Sequence, residues 1–338
     1  MVKTAVVILN WNGIGFLQRF LPGVVKFTGG PDVEVIVADN GSKDGSQAWI
    51  RQNFPELRII ELDKNYGFAE GYNRSLRQIE AAYYVLLNSD VEVTQDWLDP
   101  LTHFMDTHPG AGACMPKIKA LENRKSFEYA GAAGGFIDRY GYPFCRGRIF
   151  NVTEYDEGQY DKTIPVFWAS GACYVVRSAL YHETGGLDAD FFAHMEEIDL
   201  SWRIQCRGFS IHAIHESEVY HLGGGSLNQQ HPMKTFLNFR NNLYLLVKNL
   251  PPKILLRRLL IRMILDGIAG IKFLAGMEIK NFIAVIRAHF SFYAHFPAMI
   301  RKRRAAPSCK KLPETMYAHN ITWQFFIKGK RFFRELPK

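Results

Sequence analysis

The stretch 83–94, YYVLLNSDVEVT, decides how the first half of this chain is read. Tyr83 to Leu87 is an apolar run with β propensity. It breaks at once into Asn88, Ser89 and Asp90, with a second acid at Glu92. Residues two apart on an extended segment point the same way. Asp90 and Glu92 would then offer oxygens to one hard divalent cation, Mg²⁺ or Mn²⁺, of the kind that bridges nucleotide phosphates. A solvated turn carrying two acids is the plain alternative.

Upstream, TAVVILN, VEVIVADN and LRIIEL read as further strands. Between them GIGFLQRFLPGVV reads as a helix that Pro22 perturbs or ends, SQAWIRQNF as a helix with Ser46 as N-cap, and FAEGYNRSLRQIEA as a third helix. Strands alternating with helices at this spacing predict a mainly parallel α/β sheet. Ligands of such sheets bind outside the carboxyl ends of the strands. Those ends are polar here: Asn10-Trp11-Asn12, Asp39-Asn40-Gly41-Ser42 and Asn88-Ser89-Asp90. They should lie along one edge, joined by Asp63-Lys64-Asn65. Asp39 is placed to accept from a base N–H or a ribose hydroxyl; a strand-to-helix turn with no other task is the alternative. Neither GxGxxG nor GxxxxGK[ST] occurs, which argues against a nicotinamide dehydrogenase and a P-loop enzyme.

Residues 112–222 are less regular and should complete the sheet and build a second subsite. In GGLDADFFAHMEEIDLSWRIQCRGF a helix begins near Glu196, because Ile198, Trp202 and Cys206 follow at i, i+4, i+8. Glu196, Glu197 and Asp199 crowd its first turn, where the helix dipole favours negative charge. A carboxylate held there can act as a general base. Asp199 is equally explained by an i,i+4 pair with Arg203. His221, before three glycines, is a candidate third metal ligand or a structural histidine.

The 338 residues carry 41 Lys+Arg and 33 Asp+Glu, unevenly spread. Residues 251–338 hold 18 basic and 4 acidic side chains, leaving 23 and 29 in residues 1–250. A basic tail behind an acidic front favours anionic partners, nucleic acid or the anionic inner face of a membrane. The tail's longest charge-free run, Ala288 to Ile300, is 13 residues and contains Pro297. That is short of the ~18–20 needed to span a bilayer. Helices lying in the interface plane fit better, with RKRR (301–304) adding charge. An amphipathic layer packed on the core is the alternative. The apolar run Ala5–Leu9 is too short for a signal-peptide core and predicts no export signal. Cys114, Cys145, Cys173, Cys206 and Cys309 form no CxxC pair and read as reduced thiols in a cytosolic protein.

The stretches VVILNWNG, VIVADNGSKDGS, KNYGFAEGYNRSL, YVLLNSDVEV, ASGACYVVRSAL, GGLDADFFAHMEEIDLSWR and HLGGGS occur in this order over residues 4–245. Together they resemble family 2 glycosyltransferases of the GT-A fold, in particular the bacterial branch that includes rhamnosyltransferases. The resemblance implies a catalytic domain over 1–250, with a nucleotide-binding half (1–110) and an acceptor half (111–250). The basic helical region 251–338 follows it. It implies that Asp39 contacts the nucleotide base with Asn10 and Asn12 beside it, and that Asn65, Gly67 and Asn73 line the nucleotide. Asp90 would hold the metal on the diphosphate, with Glu92 and His221 as further ligands. Glu197 would be the base. Where the family has Glu-Asp this chain has Glu196-Glu197, which leaves open which glutamate acts.

The implied reaction is metal-dependent inverting transfer from a nucleotide-diphosphate sugar, dTDP-rhamnose or a UDP-sugar. Its acceptor would be a lipid-linked saccharide in cell-surface polysaccharide and cell-wall synthesis. The protein would be cytoplasmic and peripheral on the inner face of the cytoplasmic membrane. Other readings are the same fold with a soluble or protein acceptor, an inactive sugar-nucleotide scaffold, and a nucleic-acid binder. The acidic front and the lack of a nucleic-acid module argue against the last.

Overall fold

The computed structural model describes residues 2–223, 231–305, 309 and 311–337. Its elements start with β1 (Val2–Asn10), α1 (Ile14–Phe27), β2 (Val33–Asp39), α2 (Ser46–Asn53), β3 (Arg58–Glu61), α3 (Gly67–Leu76) and β4 (Ala81–Asn88). Next come β5 (Val91–Val93), α4 (Asp99–Thr107) and β6 (Ala111–Ala120), then four short strands: β7 (Gly135–Ile137), β8 (Pro143–Cys145), β9 (Arg148–Ile149) and β10 (Val152–Thr153). They lead to β11 (Ile164–Val166), β12 (Cys173–Arg177), α5 (Ser178–Glu183), α6 (Glu196–Cys206) and β13 (Ser210–His221). Four helices complete the chain: α7 (Pro232–Asn249), α8 (Pro252–Ala275), α9 (Ile279–Ala305) and α10 (Ile321–Phe326).

The main sheet runs β11-β13-β6-β12-β4-β1-β2-β3, with β5 paired to β13. β3, β2, β1 and β4 are mutually parallel, β6 and β13 are parallel, and β12 runs antiparallel between β4 and β6. Val6, Val7, Val85 and Leu87 are wholly buried, as parallel strands covered on both faces must be. The register sets Asn10 opposite Asp39 and Leu9 opposite Asn88. The three polar strand ends therefore share one edge, as the sequence predicts.

One local expectation is narrowed and one is corrected. Pro22 lies inside α1 and does not end it. Leu17, Phe20, Leu21 and Val24 are buried on one face of that helix. At roughly 1.5–3 kcal/mol each they outweigh the ~3 kcal/mol an internal proline costs. Ser46 is the first helical residue of α2, not its cap; Gly45 is the cap, and Asp44 Oδ1 accepts from Ser46 N at 3.1 Å.

β7 to β10 form a separate antiparallel sheet, and the end of the chain packs on it. Phe144, Ile149, Ile321 and Phe325 make one apolar cluster, and Ile321 N donates to Asp138 Oδ2 at 2.9 Å. α7 is buried at every position from Leu243 to Val247, an apolar run enclosed on all sides of the helix. α8 and α9 turn back on each other through 276–278 and pack against α7. No described helix is long and apolar enough to cross a membrane.

The expectation of five reduced thiols is overturned. Cys206 and Cys309 form a disulfide, because the fold brings the end of α6 against the chain that follows α9. Cys114, Cys145 and Cys173 are free and buried.

Candidate active site

Asp39 is wholly buried at the end of β2. Its Oδ1 accepts from Ser42 N (2.9 Å) and Gln47 Nε2 (2.8 Å), and its Oδ2 from Asn10 Nδ2 (3.0 Å). Ser42 Oγ lies 3.1 Å from Asn10 Nδ2 and accepts from Asn12 N at 2.9 Å. Asn12 Oδ1 accepts from Lys43 N at 2.8 Å. Asn10, Asn12 and Asp39 thus interlock. A carboxylate has about four acceptor positions, so Asp39 keeps capacity for one more donor. Asn10 Oδ1 is buried with no partner.

The next turn is fused to this one. Gly41 has φ 76°, and a Cβ there would stand 2.6 Å from the Lys64 backbone, so only glycine allows the two turns to touch. Asn40 Nδ2 donates to Asn65 Oδ1 and to Gly67 O, both at 3.0 Å. Asn65 Oδ1 also takes Gly67 N at the start of α3 (2.8 Å). Asn73, which the resemblance sets beside the nucleotide, is buried. Its amide is taken up by Leu187 O (2.8 Å), Leu187 N (3.0 Å) and the Tyr181 hydroxyl (2.7 Å). It braces the strap that leads to α6.

Asp90 and His221 come together from 131 residues apart, with Asp90 Oδ1 3.1 Å from His221 Nε2. The other ring nitrogen, Nδ1, is 3.5 Å from Glu128 Oε2. All three side chains are buried. Burial opposes a charge on the imidazole, yet the two flanking carboxylates outweigh it and push its pKa up to about 10. The corner thus favours positive charge between its acids. Glu92 stands apart. Ser89 and Asp90 form a turn, so the alternation expected of an extended segment does not carry through it. Glu92 faces Tyr220 across β5 and β13, while Val91 faces His221. Cross-strand partners share a face, so Glu92 and His221 lie on opposite faces, and the Glu92 carboxylate pairs with Arg124 (2.6 Å). Among the described residues no three His, Cys, Asp or Glu side chains surround one point as a metal cage. Asp90 and His221 still fit two adjacent ligands: atoms ~2.1 Å from one octahedral ion lie roughly 3 Å apart. Glu128 would be the carboxylate that orients the histidine. The glycine loop beyond Gly223 lies outside the described residues.

α6 begins at Glu196, as its spacing predicts. Phe192, His194 and Met195 precede it with φ of 66°, 67° and 74°, a run of left-handed non-glycine backbone. Such strain persists only where surroundings enforce it. Here Asn241 Nδ2 on α7 donates to Phe191 O, Ala193 O and His194 O at 2.8–2.9 Å. Asp199 is wholly buried and salt-bridged to Arg203 and Lys248, both at 2.8 Å. It is structural. Glu196 is buried, Glu197 half-buried, and Oε2 of each is inaccessible and unpartnered. Burial pushes the Glu197 carboxyl up to about 7. Burial and the adjacent Glu197 hold Glu196 well above the usual carboxylate range. A Cβ at Gly171 would touch Glu197 Cβ at 4.0 Å, and the next residue, Ala172, accepts Asn88 N at 3.0 Å. The start of α6 therefore abuts the end of β4.

Sequence reasoning missed Glu128, Asn241 and His194. His194 is kept neutral by burial, its pKa lowered to about 4, and its Nε2 is buried without a partner.

Comparison with known proteins gives the family and the fold. The chain is similar to the N-acetylglucosaminyl-diphospho-decaprenol L-rhamnosyltransferase of Mycobacterium tuberculosis, 28% identical over 219 residues, covering 61% of this chain and 71% of that protein. Among solved structures it is similar to GalNAc-T7 with UDP, GalNAc and Mn²⁺ (TM-score 0.56, 16% identity, 74% of this chain and 48% of that one). It is also similar to the mannosyltransferase PcManGT of Pyrobaculum calidifontis with GDP-Man and Mn²⁺ (TM-score 0.53, 13% identity, 86% and 87%). The fold is therefore GT-A. Glycosyl transferase family 2 matches residues 5–182, over half of the sequence, and the chain belongs to that family.

Proposed function

We propose that this glycosyltransferase moves a sugar, with inversion, from a nucleotide diphosphate to a lipid-linked saccharide. Glu197 carries the reading. It is a half-buried carboxylate with an unpartnered oxygen and a pKa near 7, set beside the strand end that bears Asp90. A base titrating near the working pH is best matched to removing a hydroxyl proton. Glu197 takes the proton of the acceptor hydroxyl. The oxygen attacks the anomeric carbon as its bond to the diphosphate breaks, and the nucleotide diphosphate leaves. One displacement needs one base and no covalent intermediate.

Asn10, Asn12 and Asp39 hold the nucleoside at the strand edge, with the turn at Asn65 and Gly67 beside it. Asp90 and His221 would hold a divalent cation, Mg²⁺ or Mn²⁺, oriented by Glu128; when bound it neutralises charge developing on the diphosphate. Two solved relatives in fold hold Mn²⁺, in keeping with this. The donor we propose is dTDP-rhamnose, or else a UDP-sugar, and the acceptor a lipid-linked saccharide of cell-surface polysaccharide synthesis; a relative named as an L-rhamnosyltransferase acting on N-acetylglucosaminyl-diphospho-decaprenol supports the rhamnosyl group and the lipid-linked acceptor.

The test incubates purified protein with each donor, a prenyl-diphosphate N-acetylglucosamine, and Mn²⁺ or EDTA. Mass and anomeric configuration of the product are read. A product with inverted configuration, lost with EDTA, is expected. Retained configuration, or transfer indifferent to EDTA, would contradict the proposal.

A further inference from the structure

We propose that the outer faces of α8 and α9 seat the protein in the plane of an anionic lipid bilayer. This goes beyond the catalytic reading and does not depend on which acceptor is used. On α8, Leu260, Ile264, Ile268 and Ile271 recur at helical spacing on the face away from the buried Leu259, Arg262, Asp266 and Gly270. Ile264, Ile268 and Ile271 are 64%, 58% and 66% exposed. On α9, Ile283, Ile286 and Phe290 do the same opposite the buried Ala284, Val285, Ala288 and Phe292, and Phe290 is 69% exposed. Single exposed apolar residues are ordinary; two such stripes on adjacent helices are not.

Charge names the partner. Lys253, Arg257 and Lys272 on α8, and Lys280, Arg287 and Arg301 on α9, are exposed. Of the two acids of these helices and their turn, Asp266 is buried on Arg262 (2.7 Å), and Glu278 is the one that is exposed, against these six cations. The exposed rim is thus almost wholly positive. A two-fold contact with a second copy would set these basic rims against each other, which like charge disfavours. An anionic bilayer satisfies both the stripes and the rim. Lys272 Nζ lies 4.2 Å over the Phe326 ring, which brings α10 with its exposed Trp323 and Phe326 to the same face. Such rings favour the headgroup level.

The face is tied to the site. At the end of α9, Lys302 bonds Asp188 (2.5 Å) and Asp190 (2.6 Å), just before the strained loop that leads to Glu197. Lys302 and Arg303 of RKRR are therefore used inside the protein, the latter on Val247 O (2.7 Å), while Arg301 and Arg304 remain exposed.

The test is flotation of the full chain with phosphatidylcholine vesicles, with and without phosphatidylglycerol. Two variants run alongside, Ile264→Asp/Phe290→Asp and Arg257→Glu/Arg287→Glu. Wild type should float with phosphatidylglycerol and be released by salt. Each variant should lose at least ~10-fold in vesicle affinity, with Tm and donor binding unchanged. Should the apolar variant misfold, the arginine variant decides alone. Wild type that never floats, or variants that float as wild type does, would overturn the proposal. So would a wild-type dimer that the apolar variant splits and that shows no vesicle binding; the face would then belong to a second copy.

Discussion

Burial at the first turn of α6 holds the Glu197 carboxyl near 7, and two measurements follow from that value. In transfer assays kcat/KM should rise with pH through an apparent pKa near 7 as the base loses its proton; a flat profile from pH 5 to pH 9 would count against Glu197. Stability should show the opposite sign. Between the ordinary value of 4.5 and about 7 the folded protein keeps a proton that the unfolded chain has released, so stability falls as pH rises through that window. Glu197→Gln removes this cost, and its Tm should exceed that of wild type at pH 8 but not at pH 4. An equal or lower Tm at pH 8 would contradict the burial of an ionisable group there. The acidic corner is tested by calorimetric titration with Mn²⁺. Asp90→Ala should abolish EDTA-sensitive donor binding, Glu128→Gln should weaken metal binding ~10–100-fold, and Glu92→Ala should bind as wild type. Loss in Glu92→Ala alone would return that residue to the site.

At the scale of elements, β1, β2 and β4 were legible because their apolar runs are buried on both faces and end in polar residues at one level of the sheet. Their chemistry was less so. The Asp90-x-Glu92 spacing suggested one ion, but a turn at Asp90 sends the two carboxylates to different partners. Glu128, the actual neighbour of His221, sits in an irregular segment with no periodic pattern to mark it. α7 was the larger omission. Its asparagines look like ordinary surface residues in the sequence, yet Asn241 is wholly buried and clamps the loop that aims Glu197. Asn241→Ala removes the donor that Ala193 O and His194 O share, while Phe191 O keeps Arg240, and should cost about 1–3 kcal/mol of stability. As a positioning residue it should lower kcat while leaving donor affinity unchanged. A defect confined to Tm, with kcat intact, would reduce Asn241 to a packing role.

Over the whole molecule, the contrast between an acidic front and a basic tail could be read directly, but not its division of labour. Arg262, Lys302 and Arg303 serve inward bonds, while Arg257 and Arg287 stay outside. Only the packing of α8 and α9 separates them. The Cys206–Cys309 link was illegible for a similar reason: with a separation of 103 residues, no spacing rule points to it. Strand edge, loop and helical layer meet around Glu197, the residue proposed as the base. The measurement that tests this most directly is transfer rate and donor affinity for Glu197→Gln and Glu196→Gln beside wild type. Glu197→Gln keeps the side chain's shape, so donor affinity should hold while turnover falls by roughly 10²–10⁴; Glu196→Gln should retain more activity. Near-wild-type turnover in Glu197→Gln would contradict the account, and a dead Glu196→Gln beside it would hand the base to the other glutamate.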